Sequence, residues 1–178
     1  MTGMGWLDFL GFGGGERPPS DPDSAQTIRK IVDQLGQMEP EKARYVAAFA
    51  YLLGRVANAD LDISAAETRE MEHIVERMGG LPEEQAVLVV QIAKTQNKLM
   101  GGTEDFNITQ ALNDIATRPQ KLALLNCLFA VSSSDHSIST LEDNEIRKIS
   151  RELRLDHSDF IQARLAYKEY LEVLKKDE

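Results

Sequence analysis

The sequence predicts an all-α fold of about seven to eight helices in one bundle-like domain, with an internal two-fold repeat, behind a flexible tail. Three observations predict it. Apolar residues recur at helical spacing from residue 23 onward, and no segment alternates with period two between hairpin turns. Pro40, Pro82 and Pro119 each open a helical stretch, and Gly-Gly pairs at 79–80 and 101–102 close two of them. Finally, the skeleton Asp-x-x-Ile-Ser-x-x-Glu-x-x-Glu occurs twice, in ANADLDISAAETREMEHIV and in SSSDHSISTLEDNEIRKIS, at a constant offset of 75 residues.

Residues 1–22 read as the tail: MGWLDFLGF is short and aromatic, and GGGERPPSDP is a Gly/Pro linker. Trp6, Leu7, Phe9 and Leu10 can share one apolar face. The segment then either tucks onto the domain, stays disordered, or docks on a membrane surface or a partner. With no Lys or Arg before Arg17, its attraction to anionic lipid is weak.

The domain is expected over 23–178. DSAQTIRKIVDQLGQ places Ile28, Ile31, Val32 and Leu35 on one stripe and stops near Gly36. PEKARYVAAFAYLLGRVAN is apolar nearly all round, so it belongs at the centre. SAAETREMEHIVERMGG is amphipathic, with Met71, Ile74, Val75 and Met78 inward. PEEQAVLVVQIAKTQNKLM and the shorter FNITQALNDIA follow. PQKLALLNCLFAVSS is the second central helix, STLEDNEIRKISRELRL comes next, and DHSDFIQARLAYKEYLEVLKK closes the chain with Asp156 as its cap. Residues 40–100 and 119–175 are thus two copies of one plan. One copy alone has too little core to stand, so the two should bury their apolar faces against each other.

The repeated motif has two readings. Ser64-Ala65-Ala66-Glu67 and Ser139-Thr140-Leu141-Glu142 are capping boxes, each worth about 1 kcal/mol. Asp60 and Asp135 can close a turn before each cap, and Ile63 and Ile138 stand where a hydrophobic staple belongs. Yet Asp60, Asp62, Glu67 and Glu70 also crowd four carboxylates into eleven residues, and Asp135, Glu142 and Glu145 do likewise. Such oxygen donors suit a hard cation, Ca²⁺ or Mg²⁺. Asp60, Asp62, Glu67, Asp135 and Glu142 are therefore the candidate metal ligands.

Composition narrows the function. With 29 acidic and 20 basic residues, the net charge is −9, which disfavours nucleic acid and favours cations, basic partners or solubility. The single cysteine, Cys127, excludes an intramolecular disulfide and fits a reducing cytosol; its apolar surroundings predict a buried thiol. No apolar run is long enough for a membrane span, and the N-terminus does not read as a secretory signal.

Sharper chemistries fail. Counted from Asp60, an EF-hand would need Gly at Ala65 and Glu at Met71. Glu70-x-x-His73 is half of a di-iron motif with no second Glu-x-x-His. GFGGG follows no strand, so it is not a phosphate loop. Ser134, Asp135 and His136 are neighbours in sequence, which makes no triad.

The doubled stretches ANADLDISAAE and SSSDHSISTLE, at the ends of apolar helices, resemble the TerB-like family of tellurite-resistance proteins and related domains. The resemblance covers about residues 40–175, and MGWLDFLGF is also similar to the TerB start. It implies an all-α domain of about seven helices with internal two-fold symmetry. It also implies an acidic surface associated with metal at Asp60, Glu67, Asp135 and Glu142, and a role in stress or tellurite resistance through protein complexes. The chain departs from the family at Leu61 and His136, where Gly is usual, and at Ser134, where Ala is; the missing glycines predict altered turns.

The expected protein is thus a cytoplasmic, non-enzymatic interaction domain, with possible peripheral contact at the inner membrane through its N-terminus. A metal-dependent, di-metal carboxylate enzyme is the first alternative. A purely structural oligomerisation module is the second.

Overall fold

A computed structural model describes residues 22–57, 64–96 and 105–175. Eight α-helices occur among them: α1 (Pro22–Gly36), α2 (Pro40–Ala57), α3 (Ala65–Gly79), α4 (Glu83–Gln96), α5 (Asp105–Ile115), α6 (Arg118–Ser132), α7 (Thr140–Glu152) and α8 (His157–Leu165). Single 3₁₀ turns follow α6 at Ser133–Asp135 and α8 at Lys168–Tyr170 and Glu172–Leu174. The expected tail segment, with Trp6, Leu7, Phe9 and Leu10, lies outside the described residues.

Helices α2 and α6 are central because they are apolar on every side. Val46 through Leu53 are all buried in α2, as are Leu124, Leu125, Leu128 and Phe129 in α6. The amphipathic helices cross between the halves. Helix α3 packs chiefly on α4 and on α6, the central helix of the other copy, while α7 reaches both α2 and α6. The buried residues of both copies form one continuous cluster. Gly79 permits the approach of α3 to α2, since a Cβ there would stand 2.9 Å from Phe49 Cζ. Gly80, at φ 69°, then ends α3 in the left-handed conformation that favours glycine.

Two expectations change. Met78 is 40% exposed; the inward face of α3 is carried by Met71 and Val75, with Ile74 half-buried. The last helix is also shorter than DHSDFIQARLAYKEYLEVLKK suggests, because α8 stops at Leu165. Beyond it the chain folds back on the turn before α7. Ile138 N donates to Tyr170 O (2.6 Å) and Glu172 N donates to Ile138 O (3.0 Å), as an isolated parallel bridge that buries Leu171. Tyr167 stacks on Phe129 with ring centroids 5.8 Å apart. A continued helix would forgo these contacts, and tertiary packing overrides the helix propensity of AYKEYLEVLKK, rich as it is in Leu, Lys and Glu.

Cys127 is fully buried, and burial pushes its thiol up to about 12. A thiol reagent at pH 8 is therefore expected to leave the native chain unlabelled and to react on unfolding in urea. Fast native labelling would contradict the buried position.

No helix among the described residues is long and apolar enough to cross a membrane.

Candidate functional site

Each repeated motif builds the same helix start. Ser64 (φ −66°, ψ 164°) and Ser139 (φ −65°, ψ 158°) cap α3 and α7. Glu67 Oε2 accepts from Ser64 N at 2.7 Å, and Glu67 N donates to Ser64 Oγ at 3.2 Å. In the second copy the two bonds measure 2.9 and 3.1 Å, between Ser139 and Glu142. Both glutamates thus use Oε2 to satisfy an amide that the helix leaves unpaired.

The backbone bond from Ser64, and then its side-chain bond, hold the Glu67 carboxyl below its ordinary value of 4.5. A group whose folded value is lowered stabilises fully above the unfolded value. Its contribution to stability is lost as pH falls through the folded value. In urea unfolding, the stability gap between the native chain and Glu67→Ala is therefore expected to be full above about pH 4.5 and to close on further acidification. Ser139→Ala is expected to cost about 1 kcal/mol at neutral pH.

The staple expected at α7 is absent: it would need an apolar residue at the fourth helical position, where Asp143 stands, while Ile63, its counterpart before α3, lies outside the described residues. Ile138 is buried nonetheless, held by its bridge to Leu171.

In the turn before α7, His136 adopts the left-handed conformation that favours glycine (φ 65°, ψ 18°). The strain in a non-glycine residue is roughly 1 kcal/mol. His136→Gly is expected to raise stability by a few tenths of a kcal/mol, up to about 1 kcal/mol, the gain being limited by the greater freedom of glycine in the unfolded chain. A loss of stability in thermal unfolding would mean that the contact of the His136 ring with Tyr170 outweighs the strain.

Two acids of the α7 start already have cationic partners. Glu145 accepts from Arg55 Nε at 2.8 Å, and Glu152, two turns further on, accepts from Arg55 Nη1 at 2.8 Å. Only 8% of the Arg55 side chain is exposed. Burial alone would lower its pKa, but the hydrogen bonds to Glu152 and Glu145 raise it overall. This cluster joins the end of α2 to α7. Asp143, buried, takes both Arg164 Nε and Nη2 at 2.9 Å, joining α7 to α8.

Of the predicted ligands, Glu67 and Glu142 lie in equivalent caps. Asp60 and Asp62 fall outside the described residues. Asp135 ends the 3₁₀ turn, and its side chain is likewise outside the description. Among the described residues, no group of three or more His, Cys, Asp or Glu side chains is placed to hold an ion. Glu70 and His73 are exposed on α3.

Motif reading missed the pairs Arg55–Glu145/Glu152 and Asp143–Arg164. A charge inside the otherwise apolar YLLGRVA was the available signal for the first.

Compared with known families, residues 46–165 match the family model described as tellurite resistance protein TerB. No curated protein and no solved structure matches the chain.

Proposed function

The chain belongs to the TerB family of tellurite-resistance proteins, and from that premise we propose a non-catalytic helical interaction domain of a cytoplasmic stress-response complex. Its doubled acidic helix starts take a divalent cation, Ca²⁺ or Mg²⁺, or a basic partner surface. The observation that carries this reading is the recurrence of one cap geometry at Ser64–Glu67 and Ser139–Glu142, each with an Asp four residues before the Ser in the sequence. Asp60, Asp62, Asp135, Glu67 and Glu142 are all carboxylates and offer oxygen donors alone. That chemistry suits hard cations and not thiophilic metals. Trp6, Leu7, Phe9 and Leu10 would dock the domain to a partner or, peripherally, to the inner membrane. The net charge of −9 argues against nucleic acid as the partner.

Calorimetric titration of the metal-stripped chain with Ca²⁺, Mg²⁺, Mn²⁺ and Zn²⁺ tests the cation. Saturable binding at or below ~10⁻⁴ M, lost in the Asp60→Asn/Asp135→Asn double variant, supports it. No heat with any ion would reduce the motif to two helix caps. The caps themselves support that second reading, a structural or oligomerisation module, since Ser64, Glu67, Ser139 and Glu142 serve in them as hydrogen-bonding caps of α3 and α7. Redox-active iron bound through His73 would instead point to the di-metal enzyme.

A further inference from the structure

The far end of α7 carries the opposite charge from its start. Arg147, Arg151 and Arg154 follow one another at intervals of four and three residues, the spacing of neighbours on a helix surface. Like charges at that spacing repel, yet among the described residues none of the three makes an ion pair. The nearby acids are engaged elsewhere, Glu145 and Glu152 by Arg55, and Asp159 by Arg118.

Arg147 and Arg154 are held in place by something other than a carboxylate. The Arg147 guanidinium carbon lies 5.4 Å over the Phe160 ring, and its Nε is buried without a hydrogen-bond partner. Arg154 donates to the neutral Gln110 Oε1 at 2.9 Å, from a backbone at φ 58°. Its amide and that of Leu155 bond back to Arg151 O and Ser150 O, a Schellman closure of α7 that turns this side chain toward α5. Lys121, from the first turns of α6, stands close enough to Arg154 that the neighbouring charge, after partial burial, lowers its pKa. Arg151 is exposed and makes no side-chain hydrogen bond among the described residues.

We propose that Lys121, Arg147, Arg151 and Arg154 form a docking surface for a carboxylate-rich segment of a partner protein. Guanidinium groups pair with carboxylates in two-point contacts, and three of the four cations are arginines. An extended polyanion, a membrane or a nucleic acid, would also meet the field of a chain whose net charge is −9. A short acidic segment confined to this surface feels mainly the cations within a Debye length, about 10 Å at 0.1 M salt. The surface shares no residue with the acidic helix starts, so it stands or falls independently of the cation titration.

The test is fluorescence anisotropy of a labelled oligoglutamate peptide titrated with the full chain at low salt. Saturable binding is expected, weakened about tenfold or more by Arg151→Glu and by added salt. It should be unchanged by Arg69→Glu, an exposed cation on α3. Arg151→Glu removes no described contact, so thermal unfolding should show the variant folded; Lys121→Glu provides a second reversal from another helix. Peptide binding unaffected by both reversals, or none up to about 1 mM, would overturn the proposal. So would binding to phosphatidylglycerol vesicles, lost in Arg151→Glu, with no binding to the peptide: the surface would then serve a membrane.

Discussion

Asp143→Ala is expected to destabilise the folded chain by about 3 kcal/mol, toward the lower end of the range for breaking a buried ion pair. The Asp143 side chain is 5% exposed and that of Arg164 is 19% exposed, with two bonds of 2.9 Å between them. Removing the carboxylate leaves the guanidinium half-enclosed between α7 and α8 without its counter-ion. The arginine can partly reach water, which is why a larger loss is not expected. Urea unfolding measures the effect, and for a chain of this length the melting temperature should fall by roughly 10 °C. Arg164→Met in the same chain should restore part of the loss, because the orphaned charge is then gone as well. A loss below about 1 kcal/mol would place the pair among ordinary surface bridges. The exposed Arg118–Asp159 bridge, with Arg118 59% exposed, belongs to that weaker class.

Phe129→Ala is expected to cost about 4 kcal/mol. Phe129 is fully buried in α6, with the Phe160 ring 5.8 Å away on one side and the Tyr167 ring 5.8 Å away at an interplanar angle of 11°. Truncation removes the transfer term, leaves a cavity and takes the stacking partner from Tyr167. The effect should be uneven. The segment from Tyr167 to Leu174 is tied down by that stack, by buried Leu171 and by two backbone bonds to Ile138. Hydrogen exchange at the Glu172 amide should therefore accelerate more than exchange in α2. Leu141→Ala is the matched control: Leu141 is 82% exposed, and its replacement should change stability by less than about 0.5 kcal/mol. Comparable losses at positions 129 and 141 would contradict the assignment of the core.

The helix starts were legible because their signals are local. Ser64 with Glu67 and Ser139 with Glu142 are three residues apart, and a capping box closes within one turn whatever packs around it. Thr117 with Gln120 closes a third box that motif reading passed over, because Pro119 drew attention to itself as the opener. His136 shows what a steric preference means: it speaks to cost, and roughly 1 kcal/mol of strain at a positive φ is well within what neighbouring contacts can offset. Glu145 illustrates the opposite limit. In sequence it is the counterpart of Glu70 in an acidic repeat; in space it belongs to Arg55, 90 residues earlier.

By itself the sequence determined the helical class, the family, the central placement of α2 and α6, and both Ser–Glu caps. Each of these depends on spacing within a few turns or on apolarity all round a helix. Tertiary structure alone decided where the last helix ends, which acids remain uncommitted, and where α7 gathers unpaired arginines. Those outcomes depend on partners far away in the chain. AYKEYLEVLKK leaves the helix because Ile138 and Phe129 offer it bonds and buried area that a continued helix would forgo. Asp143 and Glu145 are neutralised because Arg164 and Arg55 reach them. No local pattern encodes such distant pairing, and its energy appears only when the helices pack.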